Sequence, residues 1–298
     1  MALFPTRHAA SRAAGAITTG PTALELVRTA NLELIPTTKV ADHFAHLRPG
    51  TPVTVTCSPV RGVDATLEVA CRLLDLGHPV VPHLAARMVE SSAHVARIGR
   101  WLRDHEVTEV FVIGGDAPTP AGPYADALAL VRALLGTGAA LERVGTGAYP
   151  DGHASIPTDV LDRSLIERQQ LLEDAGVDGW LSTQMCFESD VVGDWIVRQR
   201  SRGVHLPIRL GVPGAVETTK LLTMGVKLGI GASLRYLRKN RAAVSRLVGP
   251  GGFDPLEFVV PLVERPDFET LGIEALHVFT FNQVAATEAW RRAVLAAD

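Results

Sequence analysis

The sequence predicts a single α/β domain with the architecture of a (β/α)8 TIM barrel. Three observations favour this fold: eight short apolar runs, helix-compatible segments between them, and a length of 298 residues. Most of the runs are continuously apolar rather than strictly alternating, as expected for parallel strands that are buried on both faces. Eight strands that alternate with helices in a chain of this length favour a closed barrel over an open doubly wound sheet.

The predicted strands follow one another at regular intervals along the chain. They are NLELIP (31–36), PVTVTC (52–57), PVVPHL (79–84), EVFVIG (109–114), RVGTGAYP (143–150), GWLSTQMC (179–186), PIRLGVP (207–213) and LHVFTF (276–281). The predicted helices have apolar residues at helical spacing and cover residues 64–77, 92–106, 124–136, 164–176 and 188–203. No complete GxGxxG motif follows a strand, which weakens the alternative of a Rossmann fold.

Two segments lie outside this alternation within the single domain 1–298. Residues 1–29 form an N-terminal extension whose Arg/Ala/Ser bias loosely resembles a transit peptide, and we interpret it as a flexible or helical leader. It has no long apolar stretch, so a secretory signal is not expected. Residues 214–274 are interpreted as a helix-rich excursion between strands 7 and 8.

Composition excludes several classes of function. The net charge of −3 gives no electrostatic preference for nucleic acid or an anionic membrane. No apolar run approaches the roughly 20 residues needed to span a bilayer. The three cysteines, Cys57, Cys71 and Cys186, form neither a CxxC pair nor a Cys/His cluster with zinc spacing. The sequence therefore predicts a cytoplasmic protein with reduced thiols and no metal site.

Polar residues stand at the C-terminal ends of the predicted strands, where (β/α)8 barrels carry their chemistry. Taken singly, each has a structural interpretation: Tyr149 begins a possible turn, for example, and Asn282 is a possible cap of the last helix. The residues at these ends are Glu33, Thr56, His83, Asp116, Tyr149 with nearby His153, Gln184 and Asn282.

Two acids and an amide among these residues are harder to explain by structure alone. A buried Glu33 needs a hydrogen-bond or charge partner, and a buried Gln184 needs partners for its donors and its acceptor. Asp116 follows two glycines and has the alternative interpretation of a turn residue. A ligand that presents adjacent N–H donors and a carbonyl would satisfy Asp116 and Gln184 together. Both a 2-amino-4-oxo pteridine and guanine have such an edge.

An ordered series of short motifs runs through the chain. The motifs are NLELIPT, PVTVTC followed by VDATLEVA, PHLA, IGGDAP, YADALALV, AYPDGH, DAGVDGWLSTQMCFES and LHVFTFN. In this order they resemble the motifs F-E-F-x-P-P, V-T-Y…D-R-T, H-L-T-C, L-R-G-D-x-P, Y-A-x-D-L-V, Y-P-E-x-H, D-A-G-A-x-x-x-x-T-Q-x-x-F-D and V-H-F-Y-T-L-N of the methylenetetrahydrofolate reductase family, a flavin-dependent (β/α)8 barrel. The match covers roughly residues 30–213 and 275–290, and its ordered succession is more specific than any one motif.

The resemblance implies roles for individual residues. Glu33 matches the acid near the reacting folate centre, and Asp116 and Gln184 match the residues that hold the pterin edge. We expect Phe187 and Tyr149 to contact the substrate as well. The positions that match or border the family's flavin-contacting residues are Thr56, His83, Gly114, Tyr124, Ala125 and His153.

Two departures from the family pattern concern the flavin. The arginine that precedes Gly-Asp in the family is Gly114 here, and Pro157 replaces the lysine of the H-P-E-A-K segment. The two phosphates of a flavin dinucleotide normally meet cations or helix N-termini. The loss of both cations argues against tight binding of FAD.

The resemblance and its departures together lead to one expected function. The chain is expected to reduce 5,10-methylenetetrahydrofolate to 5-methyltetrahydrofolate, a step of one-carbon metabolism that serves methionine biosynthesis. Hydride would come directly from NAD(P)H stacked where the flavin ring lies in the family, and NADH is favoured because no arginine pair for a 2′-phosphate is visible. Glu33 would be the general acid, and the folate carboxylates have candidate partners in Arg235, Arg238, Lys239 and Arg246.

Three alternatives remain open from the sequence. One is the same reduction through bound FAD, and another is a folate-dependent methyltransferase or demethylase on the same barrel. The third is a barrel that binds folate without chemistry, against which the presence of both Glu33 and Asp116 argues.

Overall fold

A computed structural model of the chain describes residues 21–216 and 253–297. Within these ranges eight parallel strands form a closed barrel, in which each strand pairs with the next and the eighth pairs with the first. The strands are β1 (Asn31–Leu34), β2 (Val53–Val55), β3 (Val80–Ala85), β4 (Glu109–Ile113), β5 (Arg143–Ala148), β6 (Asp178–Thr183), β7 (Ile208–Pro213) and β8 (Ile273–Phe279). The predicted (β/α)8 TIM barrel is confirmed.

Helices follow the strands as the sequence predicts. They are α1 (Pro21–Arg28), α2 (Gly62–Asp75), α3 (Ser92–Asp104), α4 (Ala127–Leu135), α5 (Thr158–Ala175), α6 (Ser189–Ser201), α7 (Leu256–Val263), α8 (Phe268–Leu271) and α9 (Val284–Ala296). Short 3-10 helices cover Val40–His46 after β1 and Ala86–Met88 after β3. None of the helices in the described ranges has the length and apolar character needed to cross a membrane.

Several element boundaries differ from the sequence prediction, and the starts of α5 and β8 are two that have a physical explanation. Helix α5 begins six residues before the predicted 164, directly after Pro157, whose φ of −60° suits a helix start. Strand β8 begins at Ile273 instead of 276. The charged Glu274 interrupts the apolar pattern there, yet the strand continues because Glu274 pairs with Arg209 of β7 at 2.9 Å.

The segments that flank the alternation are described only in part. Helix α1 lies within the predicted N-terminal extension, whereas residues 1–20 lie outside the described ranges. Helices α7 and α8 belong to the predicted excursion between β7 and β8. Residues 217–252, which include the candidate folate-tail partners Arg235, Arg238, Lys239 and Arg246, lie outside the described ranges.

The N-terminal end of the barrel is closed by packed aromatic and charged side chains. Trp180 is fully buried and stacks on Phe111 with ring centroids 5.2 Å apart. A Cβ atom at Gly145 would lie 2.2 Å from the Trp180 ring, so only glycine leaves room for the indole there. Arg209 covers the other side of Trp180, with its guanidinium carbon 3.8 Å from the ring centroid. This layer forms the floor above which an active site can be built.

Candidate active site

A cavity of about 290 Å³ opens at the C-terminal ends of the strands. Its apolar walls include Ile35, Phe111, Ile113, Phe279 and Phe281. Pockets of this kind, mostly apolar with a few polar groups, are typical of sites for small organic ligands. Six of the residues predicted at the strand ends line this one cavity: Glu33, Thr56, His83, Asp116, Tyr149 and Gln184.

Glu33 has a buried partner that sequence reasoning did not single out. Nε2 of His277 on β8 lies 2.9 Å from Oε2 of Glu33, and both side chains are buried. The two meet because β8 pairs directly with β1 when the barrel closes. The hydroxyl of Thr280 donates to the backbone carbonyl of Glu33 at 2.5 Å and also fixes this junction. The requirement that a buried acid have a partner is thus met, and LHVFTFN already contained that partner.

His83 lies beside this pair in an apolar setting. Its ring centroid is 4.6 Å from that of Phe111 and 5.7 Å from that of His277. Burial, and after it the charge of His277, lowers the pKa of His83 well below its usual value, so the imidazole is neutral. Its Nε2 atom is buried and makes no hydrogen bond within the described ranges.

Glu33, His83 and His277 are arranged as a potential metal-binding cluster. Each offers one ligand atom, and these atoms lie within 4.8 Å of one another. The sequence predicted no metal site because spacing rules detect ligands that are close in the chain. Here Glu33 and His277 are 244 positions apart, and the closure of the barrel brings them together.

The loop after β4 places Asp116 at the rim of the cavity. Gly115 has a φ of +88°, which favours glycine, and a Cβ atom on it would lie in tight contact with Cβ of Ala85 at 3.0 Å. The guanidinium of Arg87 donates to the backbone carbonyls of Ala117 (2.6 Å), Pro118 (2.6 Å) and Ala125 (3.2 Å), which fixes the loop. The Asp116 carboxylate is exposed. The sequence IGGDAP therefore builds a rigid turn that presents an acid to the cavity mouth.

Gln184 and Tyr149 line the cavity at the positions directly after β6 and β5. Oε1 of Gln184 accepts a hydrogen bond from the backbone N–H of Met185 at 2.8 Å, which orients the amide. Burial raises the pKa of Tyr149, and the Asp116 charge raises it further, whereas Arg168 acts in the opposite direction. Tyr149 is therefore a neutral phenol at physiological pH and can donate a hydrogen bond.

Several residues with predicted ligand contacts do not line the cavity. Phe187 packs edge to face on Phe253, with ring centroids 5.6 Å apart. Tyr124 belongs to the apolar cluster around α3 and α4, and Ala125 is exposed beside it. His153 does not line the cavity but contacts a residue that does: its ring packs edge to face against Tyr149, with ring centroids 5.0 Å apart.

Gly114 lies next to the cavity-lining Gly115 but contributes no lining atoms itself. A Cβ atom on Gly114 would meet no heavy atom within 4 Å. Contacts at Cβ therefore do not require a glycine at this position.

Asn282 has a structural role other than capping α9. The residue that precedes α9 is Gln283, which makes no side-chain cap. Instead, Oδ1 of Asn282 accepts from the backbone N–H of Ile35 at 2.8 Å, and Nδ2 donates to the Ile35 carbonyl at 2.9 Å. Phe281 and Asn282 have φ values of 48° and 60°, a left-handed conformation that is rare for a phenylalanine. This turn fixes Phe281 and Ile35, two residues of the cavity wall.

A comparison of the chain with models of known protein families gave no match.

Proposed function

We propose that this chain reduces 5,10-methylenetetrahydrofolate to 5-methyltetrahydrofolate with NAD(P)H as the hydride donor. The observation that carries the proposal is that one cavity gathers Glu33, Asp116 and Gln184. A buried acid is what ring opening of the substrate requires, and a carboxylate with an amide matches the donor and acceptor edge of a pterin. The aromatic walls of the cavity suit two stacked planar rings.

The reaction needs one proton and one hydride. Protonation of N10 by Glu33 would break the bond between N10 and the methylene carbon, leaving an iminium ion at N5. Hydride from C4 of the dihydronicotinamide would then add to that carbon, which gives the 5-methyl group and an oxidised nicotinamide. Charge and atoms balance, because the folate gains one proton and one hydride and the nicotinamide loses one hydride.

The hydrogen bond with His277 determines which oxygen of Glu33 can act. It occupies Oε2, and Oε1 has no hydrogen-bond partner among the described residues. Because Glu33 also lines the cavity, Oε1 is the atom that would carry the proton to N10. His277 thus acts as a positioning residue that holds the carboxyl group in one orientation.

Asp116 would act by electrostatics. Its carboxylate lies at the rim, where a bound pterin would shield it from water and thereby strengthen its interaction with the positive iminium ion. Gln184 and the neutral phenol of Tyr149 would add hydrogen bonds that orient the ring.

Direct transfer from a nicotinamide is favoured over a flavin relay by the charges around the cavity. Gly114 and Pro157 supply no cation at the two positions where the family has one. Arg87 donates to backbone carbonyls, and Arg168 donates to the Thr146 hydroxyl at 2.7 Å and the Gly147 carbonyl at 3.3 Å. Both arginines are thus already engaged within the protein. NADH remains the favoured donor.

One preparation of the protein can test the cofactor and the reaction together. We expect no flavin absorption in the visible spectrum, and we expect NADH to be consumed in a one-to-one ratio with methylenetetrahydrofolate. Direct transfer requires both substrates to be bound at once, so initial-rate plots should intersect, whereas a flavin relay gives the parallel lines of ping-pong kinetics. A yellow protein with parallel lines would establish the FAD alternative. If NADH is not consumed, the proposed reduction is wrong.

A further inference from the structure

We infer that Glu33, His83 and His277 form a binding site for a first-row transition-metal ion such as Zn²⁺ or Fe²⁺. The three side chains are buried, and each offers a ligand atom within 4.8 Å of the other two. This inference goes beyond the proposed reduction and does not depend on it, because metal binding is measured without any substrate.

An unpaired ring nitrogen of His83 is a second and independent indication. Nε2 of His83 is buried and has no hydrogen-bond partner within the described ranges. Most buried polar atoms in proteins are paired, and an unpaired one destabilises the fold. A metal ion would give that nitrogen a partner.

The chemistry of the three ligands selects the class of metal. Two imidazoles and one carboxylate suit Zn²⁺, Fe²⁺ and Co²⁺, whereas Mg²⁺ and Ca²⁺ prefer oxygen ligands. Three protein ligands leave a further coordination position open, as in metal sites that bind substrate or water. All three residues line the cavity, so the open position is accessible to a small molecule.

The spacing requires only a small adjustment. Ligand atoms at about 2.1 Å from a tetrahedral ion lie about 3.4 Å from one another. The ligand atoms of the cluster are at most 4.8 Å apart, so their largest separation exceeds the tetrahedral value by up to roughly 1.4 Å. Side-chain rotations of Glu33 and His83 can bring the atoms closer by this amount. The hydrogen bond between Glu33 and His277 would be replaced by two bonds to the metal.

Metal binding would also affect the proposed reduction. A metal-bound Glu33 is a carboxylate with no proton to donate, so the ion and the proton compete for the same oxygen atoms. Zn²⁺ should consequently inhibit NADH oxidation.

The test is a titration of the chelator-treated protein with Co²⁺, followed by visible absorption. We expect one Co²⁺ per chain with the intense bands of a four- or five-coordinate ion, and displacement of Co²⁺ by Zn²⁺ but not by Mg²⁺. Glu33→Gln and His83→Gln should each weaken Co²⁺ binding by about 100-fold or more, since even outer-shell changes cost 10–100-fold. His205→Gln is the matched control: His205 is exposed and pairs with Glu173, so its loss should leave Co²⁺ binding unchanged.

The inference is overturned if no such bands appear at one equivalent of Co²⁺, or if both cluster variants bind Co²⁺ as wild type does. Circular dichroism shows whether each variant folds. If His83→Gln does not fold, the Co²⁺ affinity of the isosteric Glu33→Gln decides the test. A protein that binds no Co²⁺ but oxidises NADH with methylenetetrahydrofolate refutes the metal site alone. One that binds Co²⁺ and, when metal-free, oxidises no NADH refutes the proposed reduction alone.

Discussion

Nε2 of His277 lies 2.9 Å from Oε2 of Glu33, although the residues are 244 positions apart in the chain. The contact exists because the last strand of the barrel pairs with the first. Both side chains are buried above the aromatic floor formed by Phe111 and Trp180. An acid in this position is held in one orientation, a condition that favours its use as a proton donor.

Replacing Glu33 with glutamine should remove the proton donor and preserve the shape of the side chain. We expect kcat for NADH oxidation to fall by about 10²–10⁴-fold, the usual contribution of a general acid. Folate affinity, measured by equilibrium titration, should change by less than about tenfold because Asp116 and Gln184 are intact. Glu25→Gln on the exposed face of α1 is the control and should have wild-type kinetics. Normal turnover by Glu33→Gln would show that another group supplies the proton.

The fold was predictable because burial on both faces leaves a strong pattern in the sequence. Strands such as β3 and β7 are buried at every position, so their apolar runs identify them. The same reasoning missed the start of β8, where Glu274 is tolerated through its ion pair with Arg209. A local hydrophobic pattern indicates whether a residue is buried, but it does not identify the distant partner that stabilises a charged residue within a strand.

Part of the candidate site was also predictable from the sequence. Glu33, Asp116 and Gln184 could be found because strand ends of a barrel converge on one face. The role of His277 could not, since its contact with Glu33 depends on the register of β8 against β1. The role of Arg87 could not be predicted either. It fixes the Asp116 loop by donating to backbone carbonyls, and every residue type has such a carbonyl.

Arg209 should be a major contributor to stability. Its Nη2 lies 2.7 Å from Oε1 of Glu109 and its Nε lies 2.9 Å from Oε1 of Glu274. Arg209→Met would leave both carboxylates without this partner at the floor of the barrel. We expect the free energy of unfolding in urea to fall by about 3 kcal/mol, the low end for a broken buried pair because both carboxylates are partly exposed.

The control for this variant is Arg163→Met, which breaks an exposed pair with Asp159 on α5. It should cost less than about 1 kcal/mol. Because Arg209 lies at the end of the barrel away from the cavity, KM for folate should be unchanged in Arg209→Met at temperatures where it is folded. A loss of stability as small as that of Arg163→Met would mean that the ion pairs of Arg209 with Glu109 and Glu274 contribute little to the free energy of unfolding.

The left-handed turn at Asn282 should combine backbone conformation with side-chain hydrogen bonds. Asn282→Gly tolerates the φ of 60° but loses both bonds to Ile35, whereas Asn282→Ala loses the bonds and also disfavours the conformation. We expect the alanine variant to be less stable than the glycine variant by about 1 kcal/mol in urea unfolding. Both should raise KM for folate, because Ile35 and Phe281 line the cavity. Equal stability of the two variants would show that the conformation carries no cost.

Gly114 offers a direct test of the proposal that the chain works without a flavin. A Cβ atom there meets no heavy atom within 4 Å, so a side chain can begin at this position and Gly114→Arg can introduce a cation beside the cavity. If the missing charge limits FAD binding, this variant should bind FAD at least about tenfold more tightly than wild type, since one charge-assisted contact is worth about 1.5–3 kcal/mol. Quenching of flavin fluorescence measures the affinity, and Gly114→Ala, which adds bulk without charge, should behave as wild type. Wild-type protein that already binds FAD as tightly as Gly114→Arg would contradict the idea that Gly114 makes the chain independent of flavin.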